Sequence, residues 1–200
     1  MRVIGSTPIW NEPFGELVLR WFHRQSPELR ERIGGPAEAQ LRVERRAARL
    51  MELAGIAPAR ALSSPREWET RWNARAQWDR LVAHADRRGW DVVIDPDDTR
   101  GLRWTATALA ESDRKTILVA DQALEVLAAQ ASLSGCLLGL RAEDLAPLAL
   151  AIQLYGIEAA RLGNPPQEWV DELGALEFTR RVLGLPFHPL VFQLLDNKPE

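Results

Sequence analysis

The spacing of apolar and polar residues predicts helices in both halves of the chain and short strands between them. Across residues 37–54 the apolar side chains recur every three or four positions, as in an amphipathic helix. Further helices are predicted at 16–23, 66–88, 121–132, 145–162 and 167–183. Short β-branched or alternating runs predict strands at 90–95, 102–109 and 115–120. Helices, then a small antiparallel sheet, then helices make an α+β fold.

Proline and glycine residues divide this pattern near residue 65. The first 14 residues contain Pro8 and Pro13 and are expected to form an extended arm. Ser64 is expected to cap the next helix, with Pro65 at its first position. We therefore predict that residues 1–65 form the arm and helices that contact a partner or a second copy of the chain. Residues 66–200 are expected to form the α+β domain.

A series of motifs in the second half of the chain follows a familiar order. The run WDVVID precedes a hairpin that leads into RKTILVAD, which a helix follows. The next helix begins with ED-x-x-P-x-A-L-A, and after a proline-containing break comes DELGALEFTRRVLGLPF. This order resembles the ImmA/IrrE type of small zinc metallopeptidase, a gluzincin-style family, over roughly residues 75–190. The resemblance implies a zincin-like scaffold, in which a small antiparallel sheet packs on helices.

The zinc site that this resemblance implies is altered on its main helix. The family uses two histidines one helical turn apart, with a glutamate between them as general base. The corresponding ligand positions here are Ile152 and Gly156, and the base position is Gln153. Ile and Gly offer no ligand atom, and a Gln amide cannot take up a proton at neutral pH. Gly156 in mid-helix predicts the close approach of another backbone or a bulky side chain.

Composition also makes a metal site unexpected. The chain has three His and one Cys, and the histidines are too far apart in sequence for a local His-based motif. The family's third ligand is an acid on the last helix, where Glu172 is the nearest candidate. Alignment on Phe178 places Gly174 there instead, and both alternatives stand. We expect neither a metal nor a cofactor, and a metallopeptidase-like protein that is not an enzyme.

Charged and aromatic residues supply candidate contacts outside that helix. A basic stripe runs along helix 37–54 and comprises Arg42, Arg45, Arg46 and Arg49. We expect glutamates on the same helix to pair with it. A net charge of −3 also argues against nucleic-acid binding. Trp68 and Trp72, one turn apart, favour core packing over a partner interface.

The sequence therefore predicts a non-catalytic binding, scaffold or regulatory protein. Its partner is expected to be another protein or a second copy of the chain. Further candidate groove or partner contacts are Tyr155, Glu158 and His188. The alternatives are a metal-independent hydrolase that uses Glu172 or His188, and a nucleic-acid-binding protein that uses helix 37–54. Without an apolar run of membrane-spanning length or a secretory signal, we expect a cytoplasmic protein.

Overall fold

The fold is seen in a computed structural model that describes residues 9–95, 108–136, 138–163 and 168–196. In these ranges the chain is mostly helical and contains a small three-stranded sheet. The α+β class is therefore confirmed, and the zincin-like layout stays a prediction. None of the helices in these ranges is long and apolar enough to cross a membrane.

The elements follow one another in the predicted sequence of helices, strands and helices. A 3-10 turn at Ile9–Asn11 precedes α1 (Phe14–His23), α2 (Pro27–Ile33), α3 (Pro36–Ala54), α4 (Pro65–Arg71) and α5 (Ala74–Arg87). The strands are β1 (Asp91–Asp95), β2 (Ala108–Glu111) and β3 (Thr116–Ala120). The later helices are α6 (Asp121–Leu133), α7 (Ala142–Arg161), α8 (Glu168–Leu183) and α9 (Leu190–Asp196).

The predicted helix 66–88 is wrong in one respect, because it is two helices. Ser64 caps α4 as expected and accepts a hydrogen bond from the backbone N–H of Glu67 at 3.2 Å. The backbone of Trp72 then turns extended, with ψ at 131°. Asn73 caps α5 by accepting from the N–H of Ala76 at 2.9 Å. The Asn73 side chain therefore interrupts the helix by binding a backbone N–H, although the apolar spacing continues through this position.

The N-terminal part is more helical than expected. Ser26 and Pro27 follow the end of α1 and begin an additional short helix, α2, in which the Ser26 side chain accepts from the N–H of Leu29 at 3.2 Å. The predicted arm ends early, because the chain already turns at Ile9–Asn11 and α1 begins at Phe14. Residues 1–8 of that arm lie outside the described residues.

The sheet is mixed, so the predicted antiparallel sheet is wrong for β1. Its strand order is β1-β3-β2. β1 runs parallel to β3, with Val93 opposite Leu118, whereas β2 runs antiparallel, with Ala110 opposite Ile117. The most apolar strand takes the centre, where both of its edges are paired. The predicted strand 102–109 lies largely outside the described residues.

Helix α7 lies at the centre of the core. It packs against α5, α6 and α8 and beneath β2 and β3. Helix α3 packs along α8, so buried residues from both sides of position 65 belong to a single apolar cluster. The division into 1–65 and 66–200 stays a prediction.

Candidate functional site

The stretch that carries the altered zinc positions lies in the second half of α7. Ile152 and Gln153 are half-buried, Leu154 and Tyr155 are buried, and Gly156 is exposed. Gln153 and Gly156 therefore reach the surface, next to the end of the sheet where the β2–β3 turn lies.

At that end of the sheet a groove of about 380 Å³ opens between α7 and the β2–β3 turn. We call it the hairpin–helix groove. Its α7 side is formed by Gln153, Gly156, Ile157, Ala160 and Arg161. The rest of its described lining is Arg88, Trp90, Ala110, Ser112 and Lys115.

The donor atoms of this groove do not fit a zinc ion. Zinc in proteins is held by Cys, His, Asp or Glu, and the described lining contains none of these residue types. In the part of the chain that the structure describes, no three such side chains come together as a metal site requires. What the groove offers instead is an amide, a hydroxyl, cations and apolar surface.

The two candidate third-ligand positions, Glu172 and Gly174, lie in different surroundings. Glu172 is exposed and accepts a hydrogen bond from Gln193 on α9 at 3.0 Å. The acid of α8 that bonds to α7 is its neighbour Asp171, which accepts from the Tyr155 hydroxyl at 2.7 Å. Arg46 donates to the same carboxylate oxygen at 2.9 Å, and the cluster joins α3, α7 and α8. Burial, reinforced by Asp171, raises the pKa of Tyr155, which remains a neutral donor.

Of these two glycines, Gly174 and not Gly156 is the one that a neighbour approaches closely. A Cβ added at Gly174 would lie 2.7 Å from the Tyr155 hydroxyl oxygen. A Cβ at Gly156 would meet nothing within 4 Å. The close approach predicted at Gly156 is therefore wrong, and this glycine leaves open space in the groove.

The two glycines should respond oppositely to alanine. We expect Gly156→Ala to raise the free energy of unfolding by up to about 1 kcal/mol, because alanine favours helix and nothing obstructs it. Gly174→Ala should lower it by about 1–3 kcal/mol, because the new methyl group displaces Tyr155. Urea denaturation of both variants measures the difference. A loss of stability in Gly156→Ala would mean that the space beside it is not open.

Glu158 lies beneath the groove and holds two of its arginines. Its side chain is fully buried, and its Oε1 accepts from His84 Nε2 at 2.7 Å and from Arg88 Nε at 2.6 Å. Its Oε2 accepts from Arg161 Nε at 2.7 Å. Burial raises the pKa of Glu158, but hydrogen bonds from Arg88, Arg161 and His84 outweigh it, so the pKa is lowered. Glu158 is therefore an ionised anchor and not a surface contact.

His84 completes this anchor in its neutral form. Burial lowers the pKa of His84 in spite of its hydrogen bond to Glu158. Its Nδ1 faces the guanidinium of Arg87 at 3.4 Å, which fits an acceptor nitrogen, so we assign the proton to Nε2, which donates a hydrogen bond to Glu158. The sequence does not identify His84 as a site residue, because no spacing rule relates it to Glu158, which lies 74 positions away.

His188 belongs to a second buried cluster, around Glu177. The Glu177 side chain is fully buried and accepts from Arg180 at 2.7 and 2.9 Å and from Arg181 at 2.5 Å. His188 Nε2 lies 3.2 Å from Glu177, and its Nδ1 accepts from the backbone N–H of Leu190 at 3.1 Å. The ring also stacks on Phe14 at 4.0 Å. His188 is 4% exposed, so it cannot reach a substrate.

The two candidate tryptophans lie close together. Trp68 is buried, and its ring stacks on that of Trp72 with 4.3 Å between centroids. Trp72 is half-buried, and its indole N–H donates to the buried carboxylate of Asp144 at 2.9 Å.

The basic stripe on α3 is largely neutralised by acids. Arg42 pairs with Glu38, Arg49 pairs with Glu52 at 2.7 Å, and Arg46 bonds Asp171 on α8. Arg45 is exposed. The basic stripe therefore has a much smaller capacity to bind phosphates than four unpaired arginines would have.

The structure thus brings Gln153 and Gly156 to the same groove as Glu158 and its partners His84, Arg88 and Arg161. Glu172, His188, the candidate tryptophans Trp68 and Trp72, and the basic stripe are not among the groove's described lining. Lys115, Arg88 and His84 were missed from the sequence, since they come from other elements. No protein-family model, curated protein or solved structure matches this chain.

Proposed function

We propose that this chain is a non-catalytic protein that binds a protein partner in the hairpin–helix groove. The observation that carries the proposal is the open space at Gly156, at the position where the resemblance implies a zinc ligand. A glycine inside a helix costs about 1 kcal/mol relative to alanine. No packing contact explains it here, because a Cβ at this position meets nothing within 4 Å. Sites that break a local stability rule are often functional.

The chemistry of the groove favours binding over catalysis. General acid–base catalysis needs a side chain that exchanges a proton near neutral pH. The described lining of the groove contains no His, Asp, Glu, Cys or Tyr, and its polar side chains are Gln153, Ser112, Lys115 and two arginines. The two residues named for a metal-independent hydrolase have other roles, since Glu172 bonds Gln193 and His188 is buried against Glu177.

The proposal is tested with a library of random ten-residue peptides displayed on phage and selected on the immobilised full chain. Enriched peptides are synthesised, and their dissociation constants are measured by fluorescence anisotropy. We expect Gly156→Leu to weaken binding at least tenfold, because its side chain fills the groove. Ala129→Leu is the matched control, since it adds a leucine to an exposed position on α6.

Each outcome of this selection has a definite meaning. Peptides that lose affinity in Gly156→Leu and keep it in Ala129→Leu support the proposal. No enriched peptide, or equal affinity in both variants, overturns the groove as the binding site. Cleavage of the enriched peptides by the purified chain overturns the non-catalytic assignment, and a zinc chelator distinguishes zinc-dependent cleavage from the metal-independent alternative.

A further inference from the structure

We infer that the groove accepts an acidic protein segment, in which carboxylate side chains alternate with apolar ones. This inference rests on the proposed function and adds the chemistry of its ligand. Three observations carry it: an excess of positive charge, a lysine in an unfavourable backbone conformation, and an apolar floor.

The first observation is a net positive charge at the groove. Arg88, Lys115 and Arg161 line it, and no acidic residue does so in the described part of the chain. The one carboxylate beneath them, Glu158, neutralises one of these three charges. His84 adds none, because it is a neutral donor to Glu158. A bound carboxylate would therefore meet uncompensated cations.

The arginines are also held in place before any ligand arrives. Arg88 and Arg161 each use Nε to bond Glu158, which leaves the terminal nitrogens for other partners. One terminal nitrogen of Arg88 donates to the backbone carbonyl of Ala54 at 3.1 Å. Arg161 donates only to Glu158 among the residues described, and 41% of its side chain is exposed. An anchored guanidinium loses less conformational entropy when it binds a carboxylate.

The second observation is the backbone of Lys115. Its φ is +50°, and it is the one non-glycine residue in the described ranges with a left-handed conformation. Glycine would adopt this conformation without cost, whereas lysine does not. Strained residues of this kind cluster at binding sites. Lys115 and Gly156 are thus two local departures from stability that line the same groove.

The third observation is the apolar surface between these cations. Trp90, Ile157, Ala110 and Ala160 contribute to the lining. Trp90 is the one aromatic residue in the described lining, so nucleic-acid bases could stack there but would leave the aliphatic side chains uncovered, whereas a protein segment with apolar side chains would cover the whole surface. The groove therefore favours an acidic protein segment over a nucleic acid.

The inference is tested with defined probes on the full chain. The first is a ten-residue peptide in which glutamate alternates with leucine or alanine, and the second has glutamine in place of each glutamate. A ten-nucleotide single-stranded thymidine oligonucleotide is the third. We expect at least tenfold tighter binding of the glutamate peptide than of the other two, with affinity falling as salt rises.

Lys115→Gln supplies the residue-level test, and Arg114→Gln is its control. Both remove one exposed positive charge from the same turn, but Arg114 does not line the groove in the described structure. We expect Lys115→Gln to weaken the glutamate peptide about threefold to fivefold and Arg114→Gln to leave it unchanged. Lys115→Gly should weaken the peptide similarly while raising the urea midpoint, because glycine relieves the backbone strain.

The outcomes separate this inference from the proposed function. Equal binding of the glutamate and glutamine peptides, or an equal effect of the two turn variants, overturns the acidic ligand. Tighter binding of the oligonucleotide overturns it in favour of a nucleic acid. Peptides from the phage selection that are neutral or basic, yet sensitive to Gly156→Leu, overturn only the acidic ligand. A selection that yields no Gly156→Leu-sensitive peptide overturns the proposed function itself.

Discussion

Glu177→Ala is expected to lower the free energy of unfolding by about 3–5 kcal/mol, the usual cost of removing one partner from a buried ion pair. Glu177 is fully buried on α8, and its carboxylate receives hydrogen bonds from Arg180 and Arg181. Alanine would leave these guanidiniums without their acceptor and would remove the carboxylate that lies 3.2 Å from the buried His188 Nε2. Chemical denaturation with urea, monitored by tryptophan fluorescence, measures the loss.

The same helix provides the control for this prediction. Glu172→Ala removes an exposed carboxylate with one hydrogen bond to Gln193. Its effect should stay within about 0.5 kcal/mol, as for most surface substitutions. Equal losses in the two variants would contradict the assignment of Glu177 as a buried structural ion.

The pH dependence of this loss is also defined. Burial raises the pKa of Glu177, but the hydrogen bonds from Arg180 and the proximity of His188 outweigh it and lower the pKa well below its usual range. A lowered pKa in the folded state contributes stability above the unfolded pKa of about 4.3 and loses it as the pH falls further. The difference between wild type and Glu177→Ala should therefore shrink below about pH 4.

Gly184→Ala is expected to lower the free energy of unfolding by about 2–5 kcal/mol, the sum of backbone strain and overpacking. Gly184 follows α8 with φ at +67°, and a Cβ there would overlap the backbone carbonyl of Arg60. The neighbouring backbone cannot easily withdraw, since the N–H of Leu62 donates to the Gly184 carbonyl at 2.9 Å. Thermal and urea denaturation measure the effect.

Gly55→Ala separates the two causes. Gly55 ends α3 with nearly the same φ, +69°, but a Cβ there meets nothing within 4 Å. This control should cost only the backbone strain, about 1–2 kcal/mol. A loss as large as that of Gly184→Ala would show that the contact with Arg60 does not matter.

The sequence predicts most helices because their local signals are strong. Apolar spacing and the Ser64 cap predict α3 and the start of α4, and the structure has both. The break at Asn73 was missed because one capping side chain interrupted a continuous apolar pattern. The parallel pairing of β1 was missed because sequence neighbours were expected to pair as a hairpin, while the most apolar strand took the central place.

The candidate site was only half predictable. Gln153 and Gly156 were identified through the resemblance, and both line the groove. Its cations come from α5 and from the β2–β3 turn, and no periodicity relates these segments to α7. The strain at Lys115 is likewise visible only in the backbone, since a lysine in a polar turn has nothing unusual in sequence.

The packing of α3 along α8 has a consequence for how the chain folds. The ion pair between Arg46 and Asp171 joins residues 125 positions apart. Long-range contacts of this kind slow folding, because the loop between them must close before they form. Helix α1 precedes α3 and packs on it, but the part of the apolar face of α3 that packs on α8 stays uncovered during synthesis until α8 has left the ribosome. We expect chaperones to bind the growing chain at this uncovered face of α3, and we expect truncated chains to aggregate through it.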